Sequence, residues 1–342
     1  MIKKLIDRFK NRRTMAHLQE RCAGRYAFVG MGQHSLTNLY PVLDYMRVPL
    51  KYICVTNADK ARLIGLKYAP VVATTSLAEV LADKDVKGVM VAASPSAHFA
   101  IASQVIESCK ALFIEKPPCA TSNQLEQLIE LQERRGSVVS VGLQKRYAPS
   151  VGVLQKRLAK DKAMSYVMRY VTGAYPEGDA LTDIYIHALD LVTYLFGRAT
   201  VVASKPTGHN SYMVMLRHGD TVGSLELSTA YTWSTANENL SVCTSKGVYE
   251  LSQMEQLTFM RRQPVVCGVP LEKVLRTNPT VEYLYGRNNF VPTVVNNQIY
   301  SQGFYNECKA WVDLVEGRSS LNLSPLQSLR DTFRLIDDIQ SF

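Results

Sequence analysis

From Arg25 to Val141 short apolar runs alternate with helical stretches, and this alternation restricts the fold more than any other feature of the chain. Tyr26-Ala27-Phe28-Val29, Tyr52-Ile53-Cys54-Val55, Val89-Met90-Val91-Ala92, Leu112-Phe113-Ile114 and Val138 to Val141 read as strands. Leu36 to Met46, Lys60 to Lys67, and segments near 97–109 and 121–135 read as helices between or after them. A run without alternating polar positions predicts a strand covered on both faces, as in a parallel sheet. Crossovers of this length make βαβ units. Thr121 is placed to cap the last helix, with Gln124 completing a capping box.

The texture changes near residue 150. A helix is predicted from about 182 to 196, followed by longer strands with period-2 character at Tyr212 to Leu216, Gly223 to Ser228 and Leu240 to Cys243. Polar turns such as His218-Gly219-Asp220 indicate hairpins. Helices near 303–316 and 325–340 end the chain, and the polar, Asn-rich stretch 275–302 reads as a long loop. The expected organisation is a basic arm (1–24), a doubly wound parallel α/β domain (25–148) and an α/β domain with antiparallel strands (149–342).

Gly30-Met31-Gly32-Gln33-His34-Ser35 follows the first strand and opens a helix. Gly30 permits a tight turn, Gly32 lets the backbone approach a pyrophosphate, and the helix N-terminus supplies N–H donors and a positive dipole end. Ser35 is small enough for close helix–strand packing. His34 is expected to face solvent or phosphate. The alternative for the whole segment is an ordinary Gly-rich turn.

In NAD-binding folds an acidic residue about 20 positions further on holds the ribose 2′-hydroxyl. Here Thr56 and Asn57 stand in that place, with Lys60 and Arg62 close behind. No carboxylate there repels a 2′-phosphate, so NADP is expected, with NAD possible if Asp59 reaches the ribose.

Glu115-Lys116-Pro117-Pro118 follows the strand at 112–114. Strand carboxyl ends face the ligand crevice in a doubly wound sheet, so Lys116 would stand beside a bound nicotinamide. Asp183, His187 and Asp190 fall on one stripe of the predicted helix, surrounded by apolar residues. Such a stripe is costly to bury unless its groups are paired or face a polar cleft. A structural His–Asp pair and a catalytic group both satisfy that condition.

Taken together these segments resemble the glucose–fructose oxidoreductase / inositol dehydrogenase / MocA family. The likeness rests on Gly30-x-Gly32, Ser94-Pro95-Ser96-Ala97-His98, Glu115-Lys116-Pro117, Gln144-Lys145-Arg146-Tyr147 and Asp183-x3-His187-x2-Asp190, in that order. It implies a Rossmann domain followed by a domain with a large, mostly antiparallel sheet, and a cofactor clamped between them. It implies Lys116, Asp183 and His187 as the catalytic group, and a cis peptide before Pro117. Gly30, Met31, Gly32, Gln33, His34, Ser35, Thr56, Asn57, Lys60, Ser94, Pro95, His98, Glu115, Lys116 and Arg146 become candidate cofactor contacts, with Lys145 a further candidate. Lys116, Tyr185 and His187 become substrate contacts. Tyr185 departs from the family, which usually has glycine there, and would reshape the pocket.

The activity implied is hydride transfer between a nicotinamide and a hydroxyl or carbonyl carbon of a sugar, nucleotide sugar or polyol. The alternative is a non-catalytic NADP-binding sensor on the same fold. The net charge of +9 favours an anionic partner, which a phosphorylated cofactor or substrate satisfies; no nucleic-acid motif is present. Seven cysteines without a C-x-x-C indicate a reduced, cytoplasmic protein without a zinc site. No run reaches the length of a membrane span. Residues 1–13 combine six basic side chains with Ile2, Leu5, Ile6 and Phe9 at helical spacing. An arm packed on its own or a neighbouring subunit is the favoured reading, and a membrane-surface helix the other. A homodimer or homotetramer is expected.

Overall fold

The computed structural model describes residues 1–18, 22–176, 178–275, 280–290 and 293–342. After helix α1 (Ile2–Leu18) come six strands: β1 (Arg25–Val29), β2 (Leu50–Cys54), β3 (Val72–Thr74), β4 (Val86–Val91), β5 (Ala111–Glu115) and β6 (Val139–Gly142). They form one sheet in the order β3-β2-β1-β4-β5-β6, parallel throughout. This is the Rossmann order, and its direction reverses between β1 and β4.

The apolar runs are two-faced because each feeds two cores. Ala27, Val89, Val91, Leu112 and Ile114 point into one cluster, with residues of α4 (Leu77–Ala82), α5 (Pro95–Glu107) and α6 (Ser122–Arg135). Tyr26, Phe28, Met90 and Phe113 point into the other, with residues of α2 (Tyr40–Tyr45) and α3 (Ala58–Lys67). The predicted cap of α6 is present: Thr121 Oγ1 accepts from the Gln124 amide at 3.2 Å. The return bond from Gln124 reaches the Ala120 amide, one residue earlier than a capping box requires.

Helix α7 (Pro149–Leu158) leads into the second half, where a short turn of helix, α8 (Ala180–Asp183), and α9 (Ile186–Phe196) lie between strands. The strands are β7 (Ala163–Gly173), β8 (Thr200–Gly208), β9 (Ser211–His218), β10 (Thr221–Tyr231), β11 (Asn237–Thr244), β12 (Gly247–Ser252) and β13 (Gln256–Arg261). A two-stranded ribbon of β14 (Val265–Val266) and β15 (Val269–Pro270), then α10 (Leu271–Leu275), precede β16 (Val281–Gly286). The eight-stranded sheet runs β16-β13-β12-β11-β7-β10-β9-β8, antiparallel except between β7 and β10. Three helices close the chain: α11 (Gln298–Ser301), α12 (Phe304–Val315) and α13 (Arg330–Ser341). Sequence order puts α12 with the second half, yet it covers the first sheet. Trp311 meets Tyr26 and Phe113 edge-on at 5.6 and 6.0 Å, and Glu316 accepts from the Tyr26 hydroxyl at 2.6 Å.

Several expectations are corrected. The helix predicted from 182 to 196 is two pieces, α8 and α9, broken at Ile184–Tyr185. The stretch 275–302 is not one loop: β16 pairs with β13, and a 3-10 turn and α11 follow. Tyr283, Leu284 and Tyr285 are good strand formers that the polar flanks obscured. Residues 276–279, 291 and 292 of that stretch, and 19–21 of the arm, lie outside the described residues. The arm does not pack on its own chain over residues 1–15, whose side chains are all exposed.

Arg146 and Asp190 join the halves. Arg146 follows β6, is buried, and donates to both carboxylate oxygens of Asp190 on α9, to the Leu323 carbonyl at 2.7 Å and to Ser328 Oγ at 2.8 Å. Breaking a buried pair by removing one partner costs about 3–5 kcal/mol, because a charge is left without compensation. Asp190→Ala is therefore expected to lower the urea midpoint sharply, and an Arg146→Met/Asp190→Leu double replacement to recover much of the loss. A single replacement costing under about 1 kcal/mol would contradict this.

Candidate active site

The carboxyl ends of β1, β2, β4 and β5 open into a cleft of about 830 Å³. Its wall begins with the loop after β1. Gly30 has φ +89°, and a Cβ there would stand 2.3 Å from the Ala92 carbonyl, so only glycine fits between β1 and β4. A Cβ on Gly32 would meet nothing within 4 Å, which leaves the loop backbone open to the cleft. Gly32, Gln33, His34 and Ser35 all line it, and the helix that starts here has a wide π turn over Ser35–Leu39. Unpaired N–H groups at a helix start, beside a glycine with free space in front, suit a pyrophosphate.

At the end of β2, Val55, Thr56 and Lys60 line the cleft. Asn57 is used otherwise: its side chain caps α3 by accepting from the Lys60 amide at 2.8 Å. Asp59 is not among the lining residues. After β4, Ser94 and Pro95 line the cleft at the start of α5. His98 also lines it, but its ring nitrogens lie 2.7 Å from the Pro117 carbonyl and 3.0 Å from the Ala93 carbonyl. It ties the loop after β4 to the loop after β5, and its polar atoms are spent on that task.

Glu115 ends β5 and Lys116 follows it, and the Lys116–Pro117 peptide is cis, as the resemblance implies. Lys116 Nζ donates to the Asp183 backbone carbonyl at 2.5 Å. Burial lowers the Lys116 pKa from its ordinary value; Glu115 and Asp183 oppose the shift, and Lys145 adds to it. His34 turns toward this corner instead of facing only solvent. Its Nε2 lies 3.4 Å from Glu115 Oε1, and its ring stands edge-on to Phe304 at 5.7 Å.

The second half contributes His187, at the start of α9, which lines the same cleft. Its Nδ1 has no hydrogen-bond partner among the described residues. Burial, then the ammonium groups of Lys116 and Lys145 and the ring of His34, push its pKa well below the ordinary imidazole value. A neutral imidazole beside an ammonium can accept a proton from a hydroxyl while the ammonium stabilises the oxygen left behind. Asp183 reaches this pair through its carbonyl; its carboxylate accepts from the Tyr175 hydroxyl at 3.0 Å.

Three expectations do not survive. Asp190 stands one turn from His187 on α9 but does not reach the cleft, because Arg146 binds it in the interior. Arg146 for the same reason does not line the cleft. Tyr185 is fully buried beneath the site, where its hydroxyl donates to the Asn210 carbonyl at 2.7 Å, so it supports the pocket without lining this cleft. The structure gives the candidate Lys145 a partner the sequence did not single out, Glu238. Buried Lys145 pairs with Glu238 and lies 5.4 Å from the Tyr170 ring, and the second oxygen of Glu238 has no partner among the described residues. Nothing in the local sequence marks Glu238; strand pairing alone brings β11 beside β7.

Comparison with known proteins agrees with this geometry. Residues 24–143 match the Gfo/Idh/MocA oxidoreductase family, which has an NAD-binding Rossmann fold. An inositol 2-dehydrogenase/D-chiro-inositol 3-dehydrogenase of Shouchella clausii is 28% identical over 166 residues, 45% of this chain and 48% of that protein. The chain spans between 37% and 64% of the length of other curated relatives it matches. Over nearly the whole chain the fold is shared with a dehydrogenase from Chromobacterium violaceum, with TM-score 0.77, 18% identity, and coverage of 93% of this chain and 94% of that one. It is also shared with a 3-ketoreductase of Actinomadura kijaniata, solved with TDP-benzene and NADP, with TM-score 0.73, 14% identity, and coverage of 93% and 96%.

Proposed function

We propose, from the match of residues 24–143 to the Gfo/Idh/MocA oxidoreductase family, that this is an NADP-dependent dehydrogenase acting on a hydroxyl-bearing carbon of a sugar, nucleotide sugar or polyol. The observation that carries the reading is that Lys116 and His187, from opposite halves of the molecule, line one cleft with Gly30 and Gly32. A bound nicotinamide supplies the hydride acceptor or donor. His187 takes the proton of the substrate hydroxyl, and Lys116 holds the same oxygen with a charge-assisted hydrogen bond. Asp183 is a positioning residue, fixing the lysine through its carbonyl and itself held by Tyr175.

Gly30, Gly32 and Ser35 would hold the pyrophosphate, and Thr56 and Lys60 a ribose 2′-phosphate. The preference for NADP is supported by Lys60 in the lining and by the absence of Asp59 from it. A polar substrate is supported by Lys145, Glu238 and Tyr170 on the sheet side, and by the inositol and TDP ligands in the names of the relatives. We also read the protein as a homodimer or homotetramer joined through the outer face of the large sheet, where Val167, Met213, Met215 and Val222 are exposed. No helix among the described residues is long and apolar enough to cross a membrane.

Fluorescence titration of the purified protein is expected to show NADPH binding at least about tenfold tighter than NADH, the worth of one charged hydrogen bond. Lys60→Ala should shrink that gap. Equal affinities, unchanged by Lys60→Ala, would remove the NADP assignment; no binding of either would remove the enzyme reading. Tight binding with no redox turnover across sugars, nucleotide sugars and polyols would favour a sensor.

A further inference from the structure

Helix α1 is unexplained by the cleft. Ile2, Leu5, Ile6 and Phe9 lie at one-turn spacing on one side, and are 75, 61, 47 and 62% exposed. Lys3, Lys4, Arg8, Lys10, Arg12 and Arg13 surround that stripe, against the single acidic residue Asp7. None of these seven side chains forms an ion pair among the described residues, and Arg13 lies 5.8 Å from the Phe9 ring. A helix with a bare apolar stripe and unpaired cations on its flanks lacks a partner that is apolar at one depth and anionic at another.

We infer that α1 docks the protein on an anionic lipid surface. The stripe enters the boundary between head groups and acyl chains, and the flanking cations meet the lipid phosphates and carboxylates. The helix lies in the surface and does not cross it. A second copy of the chain is the weaker occupant. It would bring another helix with the same six cations against the first, and the chain as a whole carries a net charge of +9. Each Lys or Arg near an anionic leaflet is worth about fivefold in binding, so several together make a salt-sensitive but selective attachment.

Co-sedimentation of the full chain with vesicles tests this. The protein should bind phosphatidylcholine vesicles containing about one-third phosphatidylserine at least about tenfold better than pure phosphatidylcholine, with the difference shrinking at high salt. Lys3→Glu/Lys4→Glu and Leu5→Ser/Phe9→Ser should each remove most of the binding, without changing the melting temperature or nicotinamide affinity. Equal binding by the full chain and a variant lacking residues 1–18 would overturn the inference. So would loss of binding in the charge variant alone, which would mean adsorption without insertion of the stripe. A vesicle-free sedimentation coefficient that falls in the Leu5→Ser/Phe9→Ser variant would also overturn it, by assigning the stripe to a second copy.

Discussion

Gly32→Glu is expected to abolish NADPH binding while leaving the protein folded. The two glycines of the loop after β1 do different work, and this substitution separates them. At Gly32 a Cβ meets nothing within 4 Å and the backbone is not in the left-handed region, so a side chain is accommodated without strain. That side chain occupies the space in front of the helix start, and its carboxylate faces the position proposed for the pyrophosphate. Placing like charges together costs several kcal/mol, which with the lost space amounts to at least about a hundredfold in affinity. At Gly30 the reverse holds. A Cβ there collides with the Ala92 carbonyl at 2.3 Å and φ is +89°, so Gly30→Ala should lower stability before it lowers affinity. Thermal melting by circular dichroism, beside NADPH titration, reads both. Gly32→Glu binding NADPH within threefold of the unaltered protein would sink the assignment of this loop to the cofactor.

The parallel sheet is readable because both its faces are buried: β1, β2, β4 and β5 each hold an apolar run, at Tyr26–Val29, Tyr52–Cys54, Val89–Val91 and Ala111–Ile114, that stands out as a block. β3 and α4 were missed. Val72–Thr74 is three residues long, too short for any periodicity, and is held by its pairing with β2. In the second half, β9, β10 and β11 announced themselves by alternation, whereas β7 did not. It carries Tyr166, Met168 and Tyr170 on one side, but Met164 and Val167 on the other, because the outer face of the large sheet is itself partly apolar.

Of the site, the parts carried by backbone geometry were readable and the parts carried by tertiary pairing were not. Glycines after a strand and a lysine at a strand end have positions fixed by the sheet, so Gly30, Gly32 and Lys116 were found. A helical wheel puts Asp183, His187 and Asp190 on one stripe, but the helix breaks between Asp183 and His187, and Arg146 holds Asp190 in the interior. The break at Ile184–Tyr185 turns the Asp183 carbonyl toward Lys116 and leaves Asp190 on a separate helix that meets Arg146. Glu238 lies 93 residues from Lys145, and no local pattern could join them.

Replacing His187 by alanine is expected to lower turnover of the substrate found in a sugar and nucleotide-sugar screen by about 10²- to 10⁴-fold, the usual worth of a positioned general base. Lys116→Met should cost about 10²- to 10³-fold, as loss of a donor aimed at developing charge does. NADPH affinity should change only a few-fold in either, since neither is assigned to the phosphates or the 2′-position. The pH dependence follows from the same surroundings. His187 works neutral, and its pKa lies well below the ordinary imidazole value of 6.5. The acidic fall in kcat/KM should therefore lie below pH 6.5. Lys116 works protonated, and burial lowers its pKa from 10.5, so the alkaline fall should come below that pH. The depressed His187 pKa also links to stability. The stabilisation is complete above the unfolded value and is lost as pH falls toward the folded value, because the unfolded chain binds the proton first. His187→Ala should then flatten the acid side of the stability profile while removing turnover. Turnover surviving in both His187→Ala and Lys116→Met, with the acidic limb unmoved, would leave the cleft a nicotinamide site without the chemistry proposed for it.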